Sequence, residues 1–132
     1  MIVDTNVLLR ALDRDASAHA KAVHLRVGSA RASGETFTVL LATVLEMVYV
    51  LESSRAGYGW DREVVAHAVL AVIDEPAFDV EHGTALRAAA TNYRARSVDL
   101  HDCWLSAIAH ERDTRVLSFD QDLRRLGNSE EP

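Results

Sequence analysis

At 132 residues the chain can bury one substantial core but not two, since single domains mostly run to about 100–150 residues, and its 48% apolar and 26% charged composition excludes a disordered or fibrous protein. The lone cysteine, Cys103, rules out an internal disulfide and a cysteine-rich zinc site, and no run approaches the roughly 20 apolar residues that span a bilayer. A formal charge of −6 argues against a generic phosphate-binding surface unless bound cations reverse the local field.

Met1-Ile2-Val3 opens the chain as a short apolar strand, and three more follow at Thr36 to Leu40, Ala77 to Val80 and Arg115 to Phe119. Between them the spacing of apolar residues predicts helices at about Asn6–Leu12, Ser17–Arg31, Ala42–Ser54, Asp61–Asp74, Thr84–Arg96 and Leu100–Arg112. Strands alternating with helices read as α/β: a parallel sheet of four or five strands covered by helices, in one domain over residues 1–132. Breakers fall between the elements at Ser33-Gly34, at Arg55-Ala56-Gly57-Tyr58-Gly59 and at Glu75-Pro76. The polar tail from about 127 to 132 is expected to fray. The first residues lack the pattern of a secretory signal, so a reducing, cytoplasmic setting is expected.

Four acids stand out from ordinary surface charge. Asp4 and Asp120 each follow an apolar strand, at the carboxyl end where open parallel sheets gather ligands. Each is equally placed to cap the helix that comes next. Glu46 lies inside the apolar stretch Val39 to Leu51, with Ala42, Thr43, Tyr49 and Val50 as its helical neighbours. An ionised carboxylate in such surroundings calls either for a compensating cation or for a helix edge open to water. Asp99 reads as the cap of the helix from Leu100; Asp102 either shares that first turn or aims at the same crevice as Asp4.

Carboxylates meeting in one pocket raise one another's pKa, and divalent cations resolve that conflict. All-oxygen ligands favour Mg²⁺ or Mn²⁺ over zinc. Such a site suits phosphodiester hydrolysis, one metal activating water while a second, roughly 4 Å away, stabilises the leaving oxygen.

Taken in order, Ile2-Val3-Asp4-Thr5-Asn6, Glu46 in an apolar helix, Asp102 at a helix start and Ser118-Phe119-Asp120 after a late strand resemble the PIN-domain ribonucleases over nearly the whole chain. The size resembles the VapC toxins of VapBC toxin–antitoxin pairs. That resemblance implies a three-layer, Rossmann-like α/β/α sandwich and Mg²⁺ or Mn²⁺ held by Asp4, Glu46, Asp102 and Asp120. It also implies Asn6 and Ser118 orienting carboxylates or water, cleavage of RNA, a homodimer and a VapB-like antitoxin. Asp122 is a spare acid that either assists through water or sits in the first turn after Asp120. The chain departs from the family pattern at Leu126-Gly127-Asn128-Ser129, which is poor in apolar residues for a fifth strand, and at Cys103-Trp104, where small residues are usual.

The histidines form no close metal motif with the acids, although His101 adjoins Asp102; Trp60, Trp104, Tyr49 and Tyr93 read as packing residues. Arg10, Arg14, Arg94, Arg96, Arg124 and Arg125 are candidates for phosphate contacts or for plain solvated surface. An aspartate-nucleophile phosphatase wants a second Asp where Asn6 stands and a downstream lysine, whereas Lys21 is the only lysine; the same shortage removes a response-regulator receiver. Two rivals share the fold: a catalytically silent module kept for antitoxin binding and regulation, and a housekeeping nuclease of the same family. Retention of all four acids counts against the first, and a small DNA-binding protein encoded just upstream would count against the second.

Overall fold

A computed structural model describes residues 1–15 and 17–132. Local sequence accounts for most helix ends. Helix α1 (Thr5–Leu12) follows Asp4 and buries Thr5 and Leu8. In α2 (Ala18–Ser33) the Ser17 hydroxyl accepts from the Ala20 amide, and Gly34 ends the helix at φ 74°, a left-handed conformation that costs glycine little. Helix α3 (Leu41–Glu52) buries Thr43, Val44, Met47, Val48 and Leu51. A short 3-10 turn, Ser54–Ala56, leads through Gly57 and Gly59, both at positive φ, to α4 (Arg62–Asp74), which Asp61 caps. A side chain at position 59 would also place a Cβ 2.8 Å from Ser54 Oγ.

Pro76, which cannot continue a helix, separates α4 from the strand that follows. Helices α5 (Gly83–Ala95), α6 (Leu100–Glu111) and α7 (Gln121–Leu126) complete the helical set, and Gly127 closes α7 at φ 93°. Predicted and observed helices agree to within about two residues at each end, the usual uncertainty of helix boundaries.

Strands β1 (Phe37–Val39) and β2 (Phe78–Val80) pair in parallel, Phe37 opposite Phe78 and Val39 opposite Val80. Ile2 joins β1 by one parallel bridge to Thr38, with the Val3 amide donating to the Thr38 carbonyl at 2.9 Å. Strands β3 (Val116–Leu117) and β4 (Ser129–Glu130) form a second parallel pair. The expected single sheet is therefore found, among the described residues, as two separate parallel pairs of short strands.

The tail corrects its expectation: Ser129 and Glu130 pair with Val116 and Leu117 instead of fraying, because this pairing draws on backbone groups and needs no apolar side chains. Asn128 secures it from within, exchanging hydrogen bonds with Ser106 at 2.8 and 2.7 Å.

The main core lies where β1 and β2 meet α3, α4 and α5. Val39, Met47, Leu51, Val65, Val69 and Leu86 have no exposed surface, and Cys103 joins them from α6. Loss of Leu8 or Leu86 to alanine would cost about 2–5 kcal/mol through the cavity left behind.

Candidate active site

Asp4 occupies the N-cap position of α1 with extended backbone, and its side chain makes no capping hydrogen bond. Its carbonyl alone begins the helix, accepting from Val7 and Leu8 at 3.0 and 3.3 Å. The exposed carboxylate is thus left out of the structural role that its position offers. The next residue, Thr5, is only 6% exposed, and its hydroxyl donates to Glu46 Oε2 at 2.6 Å across 41 positions of sequence.

Of the two surroundings open to Glu46, the structure selects the helix edge. Ala42, Glu46 and Tyr49 share the exposed side of α3, while Thr43, Val44, Met47, Val48 and Leu51 face inward. A charge-assisted hydroxyl bond, not a basic side chain, holds the carboxylate.

The second acidic group gathers at the starts of α6 and α7. Asp99 caps α6, its Oδ1 accepting from the Asp102 amide at 2.9 Å. Asp120 caps α7, accepting from the Asp122 amide at 2.7 Å, and its own amide donates to Ser118 Oγ at 2.9 Å. Ser118 therefore fixes the backbone of Asp120, and Asp122 accepts from Arg125 Nη1 at 2.8 Å.

Asp102 is half-buried, its side chain 15% exposed. Burial first, then the negative charges of Asp99 and Asp120, push its carboxyl above the usual range, with Asp122 adding to them and His101 acting the other way. His101 Nδ1 lies 3.9 Å from Asp102 Oδ1, and the His101 ring stacks on Trp104 with centroids 6.3 Å apart.

Among the described residues, donor atoms of Asp99, His101 and Asp102 lie within 4.8 Å of one another. The structure ties Glu46 to Thr5, the residue after Asp4, and sets Asp102 in the field of Asp120; the second is the one direct pairing it draws among the four predicted acids within the described residues. Asn6 is exposed on α1, next to Thr5.

Ion pairing alone does not single these acids out, since Asp61, Glu63, Asp79, Glu81 and several others also have no ion-pair partner among the described residues. Arginines pair with Asp13, Glu35, Glu75, Asp74, Glu130, Glu131 and Asp122. Asp4, Glu46 and Asp120 have no ion-pair partner among the described residues, and Asp102 has only the imidazole of His101. Oxygen donors with no basic partner, one of them crowded by like charges, fit a hard divalent cation. Cys103 does not belong to that donor set: it is fully buried and its thiol is pushed up to about 11, chiefly by burial.

Trp104 finds room against the core despite its size, beside the His82 and His101 rings, with its indole Nε1 buried and unpartnered. All six histidines are exposed. Of the candidate phosphate-binding arginines, Arg10, Arg124 and Arg125 are ion-paired and Arg96 donates to a backbone carbonyl. Thr5 escaped the sequence reading although it stands beside Asp4, because nothing local shows that its hydroxyl meets Glu46. The available signal was a small hydroxyl residue that starts an amphipathic helix and points inward.

A sequence profile of the PIN domain matches residues 1–128. A VapC ribonuclease of Aquifex aeolicus (strain VF5) is 32% identical over 95 residues, which cover 71% of this chain and 68% of that relative.

Proposed function

The chain belongs to the PIN-domain family, in its VapC group, and on that premise we propose that it is a metal-dependent endoribonuclease and the toxin of a type II toxin–antitoxin pair. The observation that carries this reading is the crowding of half-buried Asp102 by Asp99 and Asp120, together with Asp4 free of any capping bond and Glu46 held by Thr5.

In this reading residues 1–132 are one domain, and its two strand pairs belong to one sheet between helical layers. Asp4, Glu46, Asp102 and Asp120 hold Mg²⁺ or Mn²⁺. A cation held there would offset their charge and supply Lewis-acid activation of a phosphoryl oxygen and of the attacking water. Thr5 keeps the Glu46 carboxylate oriented, Ser118 sets the backbone of Asp120, and Asp99 fixes the first turn from which Asp102 projects. Asn6 and Asp122 orient water or carboxylate beside these four.

The substrate is RNA, and the partners are a VapB-like antitoxin and a second copy of the chain. No helix is long and apolar enough to cross a membrane among the described residues, and a cytoplasmic location follows from the reading. The retained acids favour an active nuclease over a silent binding module. The test is cleavage of RNA by purified protein with and without EDTA, alongside Asp4→Asn and Glu46→Gln. Chelation and each substitution are expected to lower cleavage at least about 100-fold while circular dichroism stays that of the native fold. Cleavage undiminished in both variants would remove the mechanism.

A further inference from the structure

Arg62 is the first residue of α4, where the positive end of the helix dipole disfavours a cation. Its place is explained by what it reaches. Nη1 donates to the Tyr93 carbonyl at 2.9 Å and to the Val98 carbonyl at 2.6 Å, while the guanidinium carbon lies 4.1 Å from the centroid of the Tyr93 ring. The Tyr93 hydroxyl in turn donates to Glu52 at the end of α3.

Both carbonyls matter to α6. Tyr93 lies in the last turn of α5, where carbonyls lack partners within the helix. The Val98 carbonyl belongs to the peptide that enters Asp99, and Asp99 Oδ1 accepts from the Asp102 amide. Across the same connection Arg96 Nη1 donates to the Arg125 carbonyl at 2.9 Å, near the end of α7.

One guanidinium therefore joins the end of α5 to the peptide from which α6 starts, two hydrogen bonds from a proposed metal-holding acid. We propose that Arg62 is a positioning residue for the nuclease reaction: by gripping the Tyr93 and Val98 carbonyls it fixes the start of α6 and so aims Asp102. The proposal rests on the metal-dependent reading above. A lysine offers one point charge in place of the planar fork and stacks less well on Tyr93, so it replaces Arg62 only in part.

The experiment compares Arg62→Met, which keeps an apolar stem against Tyr93, with Arg62→Lys and with Val69→Ala, a fully buried α4 site outside this network. Using Mn²⁺ as the probe, Arg62→Met is expected to weaken Mn²⁺ binding and lower kcat by about 10–100-fold each, with the RNA KM nearly unchanged. Arg62→Lys should fall between it and the parent. Val69→Ala should lose stability yet keep parental kcat and Mn²⁺ affinity below its unfolding temperature.

Amide hydrogen exchange over residues 96–103, measured without metal, should quicken in Arg62→Met and not in Val69→Ala. If Arg62→Met fails to fold, Arg62→Lys carries the same comparison. Parental kcat and Mn²⁺ affinity in the Arg62 variants, or equal losses in Val69→Ala, overturn the proposal. If the parent protein cleaves RNA in EDTA, the metal reading falls instead, and the exchange comparison alone decides whether Arg62 grips the turn.

Discussion

The two ends of the candidate site solve the same electrostatic problem in opposite ways. At the α1–α3 end, Asp4 takes no part in capping and Glu46 hangs on a single buried hydroxyl, so neither carboxylate holds a helix together. At the α6–α7 end, Asp99 and Asp120 are caps, and Asp102 stands in their combined field. Chemistry at the first end can be removed without touching the fold, whereas at the second end folding and chemistry draw on neighbouring oxygens.

The sharpest break of that contrast is the pair Asp4→Asn and Glu46→Gln, expected to abolish cleavage while the melting temperature in EDTA stays unchanged. Next comes Thr5→Val, a near-isosteric loss of the hydroxyl. Because Glu46 is exposed, water replaces the lost donor, and stability should change by less than about 1 kcal/mol. Cleavage should nevertheless fall about 10-fold, since the carboxylate loses its orientation. A Thr5→Val protein that cleaves at the parental rate would show that the 2.6 Å bond is packing only.

At the other end, Asp99→Ala removes a cap and should cost about 1 kcal/mol as well as activity, while Asp99→Asn keeps the cap and should cost little stability. Denaturant unfolding of the two variants, read beside their cleavage rates, separates cap from charge. Equal stability in both would detach the fold from this acid and erase the difference between the two ends.

How far the sequence disclosed all this follows from the range of the interactions. Caps and breakers act over three or four residues, so Ser17, Asp61, Asp99, Asp120, Gly34 and Gly127 mark helix ends legibly. Strands of two or three residues held by backbone bonds leave little side-chain pattern, which is why β4 was not foreseen. The exposed face of α3 was disguised by its uncharged composition: Tyr49 reads as a packing residue, yet it is 75% exposed and corrects that expectation. Trp60, Trp104 and Tyr93 do pack against the core. The acids themselves were visible because Asp4 and Asp120 follow strands, Glu46 interrupts an apolar run and Asp102 stands in the first turn of a helix. Their supports, Thr5 and Arg62, were not, since their partners lie 41 and at least 31 positions away.

The smallest effect tests the crowding at Asp102 directly. An acid in the first turn of a helix gains about 0.3–1 kcal/mol from the dipole, so neutralising Asp102 removes a favourable term. Against it stand partial burial and the charges of Asp99, Asp120 and Asp122, each close like charge costing about 0.2–0.5 kcal/mol at a helix surface. With Asp99 already satisfying the Asp102 amide, the repulsive terms together outweigh the dipole. Asp102→Asn should therefore melt slightly higher than the parent in EDTA, whereas Asp4→Asn should not. Added Mg²⁺ should reverse the order, because only the parent gains the full linkage from binding, about 2.7 kcal/mol at a hundredfold excess over Kd. A lower melting temperature for Asp102→Asn in EDTA would mean that the dipole wins and that the crowding at α6 is not what makes this end of the site fit a cation.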